Sequence, residues 1–394
     1  MKKILILGAP LFQIPVVKKA KEMGLEVGIV DINPQAPALK FADTVFVASI
    51  RDKNGILEIA KNYKPNGIVI GACDTSVTTA AYVCNKLGLP CYSEETALKS
   101  TNKLEMLYAF EKYAVDHPKF QLVRKNDLRN FKMQIPYPAI SKPINSSGGR
   151  GIFFIKDEKQ LQEAVAYSSD GYAGDILVEE YMEGNEVSVE VIVLESIPYV
   201  LQITDKITSG KPNFYEIGHS QPSRLPDEIK IRVSNLAKRA VTACGINNSP
   251  AHVEIKITED GPKMVELGAR LGGDWITSFL INTSVSGINM TETAIRLALG
   301  EKIEKPQFHN SGKSVAVRFL CGKSGKVKEI IGFDYIKVIP GIITADILIH
   351  PGDKIAKSEN NATRYGYIVA EGESTEQALS ICEQALNQIK IIYE

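Results

Sequence analysis

From Lys3 to about Pro90 the chain alternates short apolar runs with amphipathic stretches, and that alternation leaves few folds open. KILILG, EVGIVDI, TVFVAS and GIVIGA have the length and β-branched content of buried strands. PVVKKAKEMG, NGILEIAKNY and SVTTAAYVCNKLG carry helical periodicity between them. Strands separated by helices pair in parallel through crossover connections, so a Rossmann-like α/β half is predicted. The turn after the first strand reads GAPLFQ, with Gly8 standing where a dinucleotide fingerprint sets three spaced glycines, which disfavours nicotinamide binding.

A length of 394 residues suits two or three domains, and 44% hydrophobic residues is ordinary for a globular chain. Lys plus Arg and Asp plus Glu are equal at 46 each, so no net field recruits nucleic acid or an anionic membrane. Cys73, Cys84, Cys91, Cys244, Cys321 and Cys382 form no C-x-x-C pair or metal-spaced cluster, which suits thiols in a reducing cytoplasm. The opening MKKILILGAPLF has the lysines and apolar run of a signal peptide but no cleavage pattern, and a buried first strand is expected instead. No apolar run reaches the length of a membrane span.

Further on, Asn102 reads as a helix N-cap with Glu105 as its capping-box partner, opening NKLEMLYAFEKY with Lys103 in the first turn. An extended AISKPI, the loop NSSGGRG and an apolar IFFI follow, then a helix in DEKQLQEAVAY. The glycine loop therefore joins strand to strand. A P-loop joins strand to helix and ends in a lysine, G-x-x-x-x-G-K-[ST], a pattern missing from this chain. A hairpin flap closing over phosphates fits better. ILVEEY, EVSVEVIVL and IPYVLQITDK predict an antiparallel meander, IKIRVSNLAKRAVTACG a helix, and AHVEIKI with KMVELGARLGG a hairpin around EDG. The helix TETAIRLALG precedes a linker at Pro306, and the strand-rich remainder with its helix STEQALSICEQALNQI reads as a small α+β cap.

The hairpin bears on chemistry. With a three-residue turn on Glu259, Asp260 and Gly261, Thr258 faces Pro262 and Glu254 lies directly opposite Glu266. At ~5 Å and an effective dielectric of ~20 the two carboxylates repel by about 3 kcal/mol, which calls for a cation between them. Two protein oxygens, completed by water and phosphate, is a usual magnesium arrangement at a nucleotide site. A two-residue turn on Asp260 and Gly261 would instead place the glutamates on opposite faces as surface charges. The sequence alone leaves both open. His252-x-Glu254 also has the start of a zinc-deaminase motif, but no P-C-x-x-C follows.

In this order, CDTSVTTAAYVCNKLGLP leading into STNK, SKPINSSGGRGI, LVEEYMEGNEVSVE, FYEIGHSQPSRLP and AHVEIKI with KMVELGARLGG resemble the ATP-grasp superfamily. Within it they are similar to the carboxylate–amine ligases, which include L-amino-acid ligases, phosphoribosylglycinamide synthetases and the large subunit of carbamoyl-phosphate synthase. The resemblance implies a Rossmann-like domain over 1–95, an ATP-grasp domain over 96–305 with its lid at about 114–178, and the cap over 306–394. It also implies cytoplasmic ligation of a small-molecule carboxylate to an amine, using ATP and Mg2+ with Mn2+ as a substitute, and allows a homodimer.

Residue by residue, the resemblance makes Lys103 and Lys142 the phosphate lysines and Ser146, Ser147, Gly148, Gly149 and Gly151 the flap. Glu180, Tyr181 and Met182 match the adenine hinge, Glu186 the ribose carboxylate, Glu254 and Glu266 the magnesium ligands. Arg270 matches the arginine on the transferred phosphate, giving Arg270 and Lys142 catalytic roles; apart from the resemblance, a surface salt bridge would also account for Arg270. Glu216, His219, Gly272, Gly273 and Trp275 fall where relatives contact amino substrates, although His219 and Trp275 also suit structural roles. One departure is Gly268, which stands where many relatives place a metal-binding Asn. The implied reaction forms an acyl-phosphate that an amine opens, releasing ADP and phosphate. Alternatives are a phosphoribosylamine–glycine ligase and a non-catalytic ATP-binding protein on the same fold.

Overall fold

Strands β1 (Lys3–Leu7), β2 (Glu26–Asp31), β3 (Thr44–Val47) and β4 (Gly67–Val69) pair in parallel in the order β3-β2-β1-β4. Ile4 to Leu7 are fully buried because helices cover both faces, which explains the unbroken apolar run. The connecting helices are α1 (Ile14–Glu22), α2 (Lys53–Tyr63) and α3 (Asp74–Leu87). Asp52 caps α2 by accepting from the Gly55 N–H at 3.0 Å, whereas Cys73 at the head of α3 makes no side-chain cap. The computed structural model describes residues 1–124, 131–146, 148–170, 174–336 and 338–394.

Two short helices lead out of this half. In α4 (Glu94–Lys99), which the periodicity did not reveal, Ser93 accepts from Thr96 N–H; in α5 (Lys103–Lys112), Asn102 accepts from the Leu104 and Glu105 N–H groups at 3.0 and 3.2 Å. The lid is an antiparallel sheet of β5 (Phe120–Val123), β6 (Ala139–Pro143), β7 (Phe153–Ile155) and β8 (Ile176–Glu180), ordered β5-β8-β6-β7, with α6 (Leu161–Ser169) packed on it. The glycine loop joins β6 to β7, strand to strand. Gly148, Gly149 and Gly151 adopt φ of 67°, 76° and 74°, a region in which other residues are strained.

The largest sheet has eight strands. β9 (Asn185–Leu194), β10 (Ile197–Thr208) and β11 (Glu216–Gln221) form the meander, and after α7 (Asp227–Ala243) the hairpin of β12 (Ser249–Thr258) and β13 (Gly261–Gly268) adds to the β9 edge. The hairpin turn differs from the expected one. Thr258 pairs with Gly261, so the turn is the two residues Glu259 and Asp260, and a bulge at Val265 then shifts the register by one. Glu254 pairs with Glu266 because of that bulge.

Beyond Pro306 the same sheet continues through Ser314–Leu320, Gly366–Gly372 and Ile342–Ile347, the first of these pairing with β11. Helix Thr375–Gln388 packs against it over a smaller core that includes Cys382 and Ala385. All six cysteines are free thiols, and no helix among the described residues is long and apolar enough to cross a membrane.

Candidate active site

A cleft of about 300 Å³ opens between α3, the lid loop and the β12–β13 hairpin. Lys103, Ser146, Glu254, Glu266, Gly268 and Arg270 all line it. Lys103 is the first residue of α5, so its N–H is one of the groups a helix leaves unpaired; here it donates to the lid carbonyl of Ile144 at 3.0 Å. Its buried amine lies 2.5 Å from Glu266 Oε2 and donates to the Ser146 carbonyl at 2.8 Å. Burial works against the charge, but the Glu266 carboxylate outweighs it and raises the Lys103 pKa.

Glu254 lies opposite Glu266 on the hairpin, and protein cations answer their mutual repulsion. Lys206 Nζ, on β10, lies 2.9 Å from Glu254 Oε2, 2.5 Å from Glu186 Oε1 and 3.2 Å from Glu216 Oε1. His252 brings Nε2 to 3.3 Å from Glu254 Oε1 while Nδ1 meets buried Glu190 at 2.6 Å. Burial opposes the imidazolium, yet Glu190 and Glu254 together raise its pKa to about 10. Glu254 is held well below the usual carboxylate range: burial pushes it up, and Lys206 and His252 more than reverse that.

Arg270 is the buried counterpart of Asp74 on α3, with Nε at 2.5 Å from Oδ1 and Nη2 at 2.8 Å from Oδ2. This is a two-pronged interior pair, with the guanidinium plane fixed at the cleft wall. Gly268 explains itself here. A Cβ at 268 would fall 3.0 Å from Asp74 Oδ1 and 3.1 Å from Arg270 Cγ and Nε, so a side chain would press on the pair.

Other expected residues lie outside the cleft lining. Lys142 is buried on β6 with Nζ 2.7 Å from Glu179 Oε2. Glu180, Tyr181 and Met182 form the crossing from the lid sheet to the eight-stranded sheet: Glu180 pairs with Lys263 at 3.2 Å, Tyr181 N–H donates to the Pro138 carbonyl, and the Tyr181 ring meets Phe154 and Phe214 at 4.9 and 5.9 Å. Glu186, just beyond, joins the Lys206 network. Gly148, Gly149 and Gly151 form the lid tip, and Ser147 lies outside the described residues.

The residues expected near an amino substrate are otherwise engaged. Glu216 belongs to the Lys206 network, and His219 Nε2 lies 3.3 Å from Asp274, which Arg364 grips at 2.7 and 2.6 Å. Trp275 is buried against Phe12, Phe279 and Tyr367. A Cβ on Gly272 would meet Glu190 and His252 at 2.7 and 2.9 Å, and one on Gly273 would meet Ala72 at 3.3 Å, so both glycines serve close packing. Sequence reasoning missed Asp74, Lys206, Glu190 and Arg364. Asp74 stands inside CDTS and Glu190 closes LVEEYMEGNEVSVE, two of the stretches that carry the resemblance, whereas Lys206 and Arg364 lie on an unremarkable strand and loop.

Glu254 and Glu266 suit a magnesium ion in chemistry, as adjacent hard oxygen donors now balanced by amines and an imidazole. Among the described residues no group of three or more His, Cys, Asp or Glu side chains is placed to hold a metal, so water and phosphate would complete the shell.

An α/β half, a glycine-tipped lid and a carboxylate-bearing hairpin around one cleft define an ATP-grasp architecture. Residues 135–278 match the ATP-grasp domain and residues 318–394 match the L-amino acid ligase C-terminal domain 2. Over these two stretches the chain is similar to ATP-grasp ligases. The L-amino acid ligase of Bacillus licheniformis superposes with a TM-score of 0.87 at 21% identity, covering 100% of this chain and 99% of that one. Phosphoribosylglycinamide synthetase from Anaerococcus prevotii superposes at 0.80 with 24% identity over 100% of both chains. Carnosine synthase 1 of Homo sapiens is 23% identical over 332 residues, covering 76% of this chain and 40% of its own, so this chain spans well under half of that relative.

Proposed function

We propose that the protein joins the carboxylate of an amino-acid-like substrate to an amine, using ATP and Mg2+, through an acyl-phosphate and with release of ADP and phosphate. The observation that carries this reading is the meeting of Lys103, Glu254, Glu266 and Arg270 in one cleft under the Ser146 end of the lid. Glu254 and Glu266 would hold magnesium, which when bound supplies charge neutralisation to the phosphates. Lys103 and Lys142 are the phosphate cations, with Ser146, Gly148, Gly149 and Gly151 bringing backbone amides close above them. Glu180, Tyr181, Met182 and Glu186, at the crossing between the sheets, are the adenosine side. Arg270, pinned by Asp74, is oriented before the reaction to stabilise charge developing on the transferred phosphoryl group.

The remaining demands are proximity and exclusion of water, which the lid serves, so no nucleophilic side chain is needed. Small-molecule acids and amines are the partners in this reading, and the free thiols suit a cytoplasmic enzyme. Trapping with hydroxylamine tests it: an acid from a panel of amino acids should give a hydroxamate together with ADP and phosphate. Hydroxamate with AMP and pyrophosphate would replace the acyl-phosphate by an adenylate and overturn the mechanism.

A further inference from the structure

At the far end of α3 from Asp74, two cysteines meet. Cys84 lies in the last turns of the helix and is fully buried, whereas Cys91, in the segment that follows, is exposed. The helix stops at Gly88, which takes φ of 66°, and the Leu89 N–H turns back to donate to the Cys84 carbonyl at 2.9 Å. Asn85 Nδ2 donates to the Ala81 carbonyl at 2.6 Å and to the Tyr92 carbonyl at 3.2 Å, which binds the returning segment along the helix. In this fold-back the Cys84 thiol donates to Cys91 Sγ.

The two thiols differ in chemistry. The hydrogen bond from Cys84, joined by one from the Tyr92 N–H, holds Cys91 below the usual thiol value. Donating that bond, together with burial, pushes Cys84 up. An exposed thiolate beside a buried, protonated thiol is the arrangement of an attacking and a resolving cysteine. Cys91 also lines a cavity of about 580 Å³ shared with Ser93, Asn247 and Lys302, through which a small molecule reaches it.

Both cysteines are tied to the Asp74–Arg270 pair. Asp74 is the first residue of the helix that carries Cys84, and Tyr92, the residue after Cys91, donates its hydroxyl to the Ala269 carbonyl at 3.0 Å. We propose that Cys84 and Cys91 form a reversible disulfide, made by exchange with a small-molecule disulfide, that acts on Arg270 through Tyr92. The Cys91 thiolate attacks one sulfur of the small disulfide and expels the other as a thiolate. The Cys84 thiol then gives its proton to that thiolate and attacks Cys91 Sγ, expelling the second. Two protein thiols are oxidised and one disulfide is reduced to two thiols. An S–S bond of about 2.05 Å is shorter than the hydrogen bond it replaces, so Cys91 and Tyr92 are drawn toward α3 and the Tyr92 hydroxyl away from Ala269.

Equilibration of the full chain with reduced and oxidised glutathione, followed by peptide mapping in a mass spectrometer, tests the pair. A Cys84–Cys91 disulfide carrying no glutathione is expected, and dithiothreitol should reverse it. Cys91→Ser should form no disulfide, and Cys84→Ala should stop with glutathione on Cys91; if the loss of buried Cys84 unfolds the chain, Cys91→Ser and the unaltered protein decide. Amide exchange at residues 269–271 reads the coupling without any substrate, so its outcome is separate from that of the ligase reading. Oxidation should speed this exchange about fivefold, the worth of one hydrogen bond. Tyr92→Phe should show the faster exchange already when reduced and no further change on oxidation. Glutathione retained on Cys91 of the unaltered protein, a disulfide through any other cysteine, or exchange indifferent to oxidation overturns the proposal.

Discussion

Asp74 and Arg270 lie 196 residues apart and meet in a buried two-pronged ion pair that couples the N-terminal α/β half to the end of the β12–β13 hairpin. Burial alone would raise the Asp74 pKa, and Arg270 more than reverses it. The pair fixes the direction in which a phosphate would meet the guanidinium. Arg270→Ala should lower kcat by roughly a hundred- to a thousandfold, as loss of a preorganised charge does, while ATP affinity in calorimetry stays within a few fold. Equal losses in binding and turnover would place Arg270 in ground-state recognition instead.

Gly268 should resist the Asn that many relatives carry there. A Cβ would approach Asp74 and Arg270 at 3.0 and 3.1 Å, so Gly268→Asn should displace the pair, lower the melting temperature and reduce kcat. A variant that gains activity at unchanged stability would contradict this.

Lys103 ties the lid to the hairpin through the Ser146 carbonyl and Glu266. Lys103→Met should weaken ATP binding about ten- to a hundredfold and speed amide exchange around residues 144–146, because the side-chain tether to the Ser146 carbonyl, the pairing with Glu266 and the charge are removed together. Unchanged exchange would mean that the lid is held by other contacts.

Asp274 gives a pH prediction. Burial raises its pKa, but Arg364 and then His219 pull it well below the ordinary carboxylate range. A lowered folded pKa contributes stability that is full above the unfolded value near 3.8 and is lost as pH falls below it. Acid unfolding of the protein should steepen below about pH 4, and Asp274→Asn should flatten that slope. At neutral pH the same variant leaves Arg364 buried without its partner and should destabilise by about 3–5 kcal/mol in denaturant melts.

The N-terminal half was legible because parallel strands buried on both faces announce themselves as apolar runs, and the strand-to-strand setting of the glycine loop followed from its flanking residues. The hairpin was legible only in part. Glu254 does oppose Glu266, but the turn that would produce this is absent, and a bulge at Val265 with no sequence signature restores the register. Lys206 was invisible because its importance lies in three carboxylates brought from positions 186, 216 and 254 by strand pairing. His219 and Trp275 were read near a substrate from their neighbourhood in the chain. Their engagement with Asp274 and with Phe12, Phe279 and Tyr367 depends on packing that no local pattern encodes.

The continuity of the eight-stranded sheet past Pro306 limits how such proteins can be recombined. A graft that replaced the last eighty or so residues would strip β11 of its neighbour and present a bare edge ready to pair with another molecule. It would also remove Arg364 and strand Asp274 without its counter-charge. Chimeras should therefore be soluble when the junction carries both the β11 neighbour and the Asp274 partner from one parent, and should aggregate when it separates them.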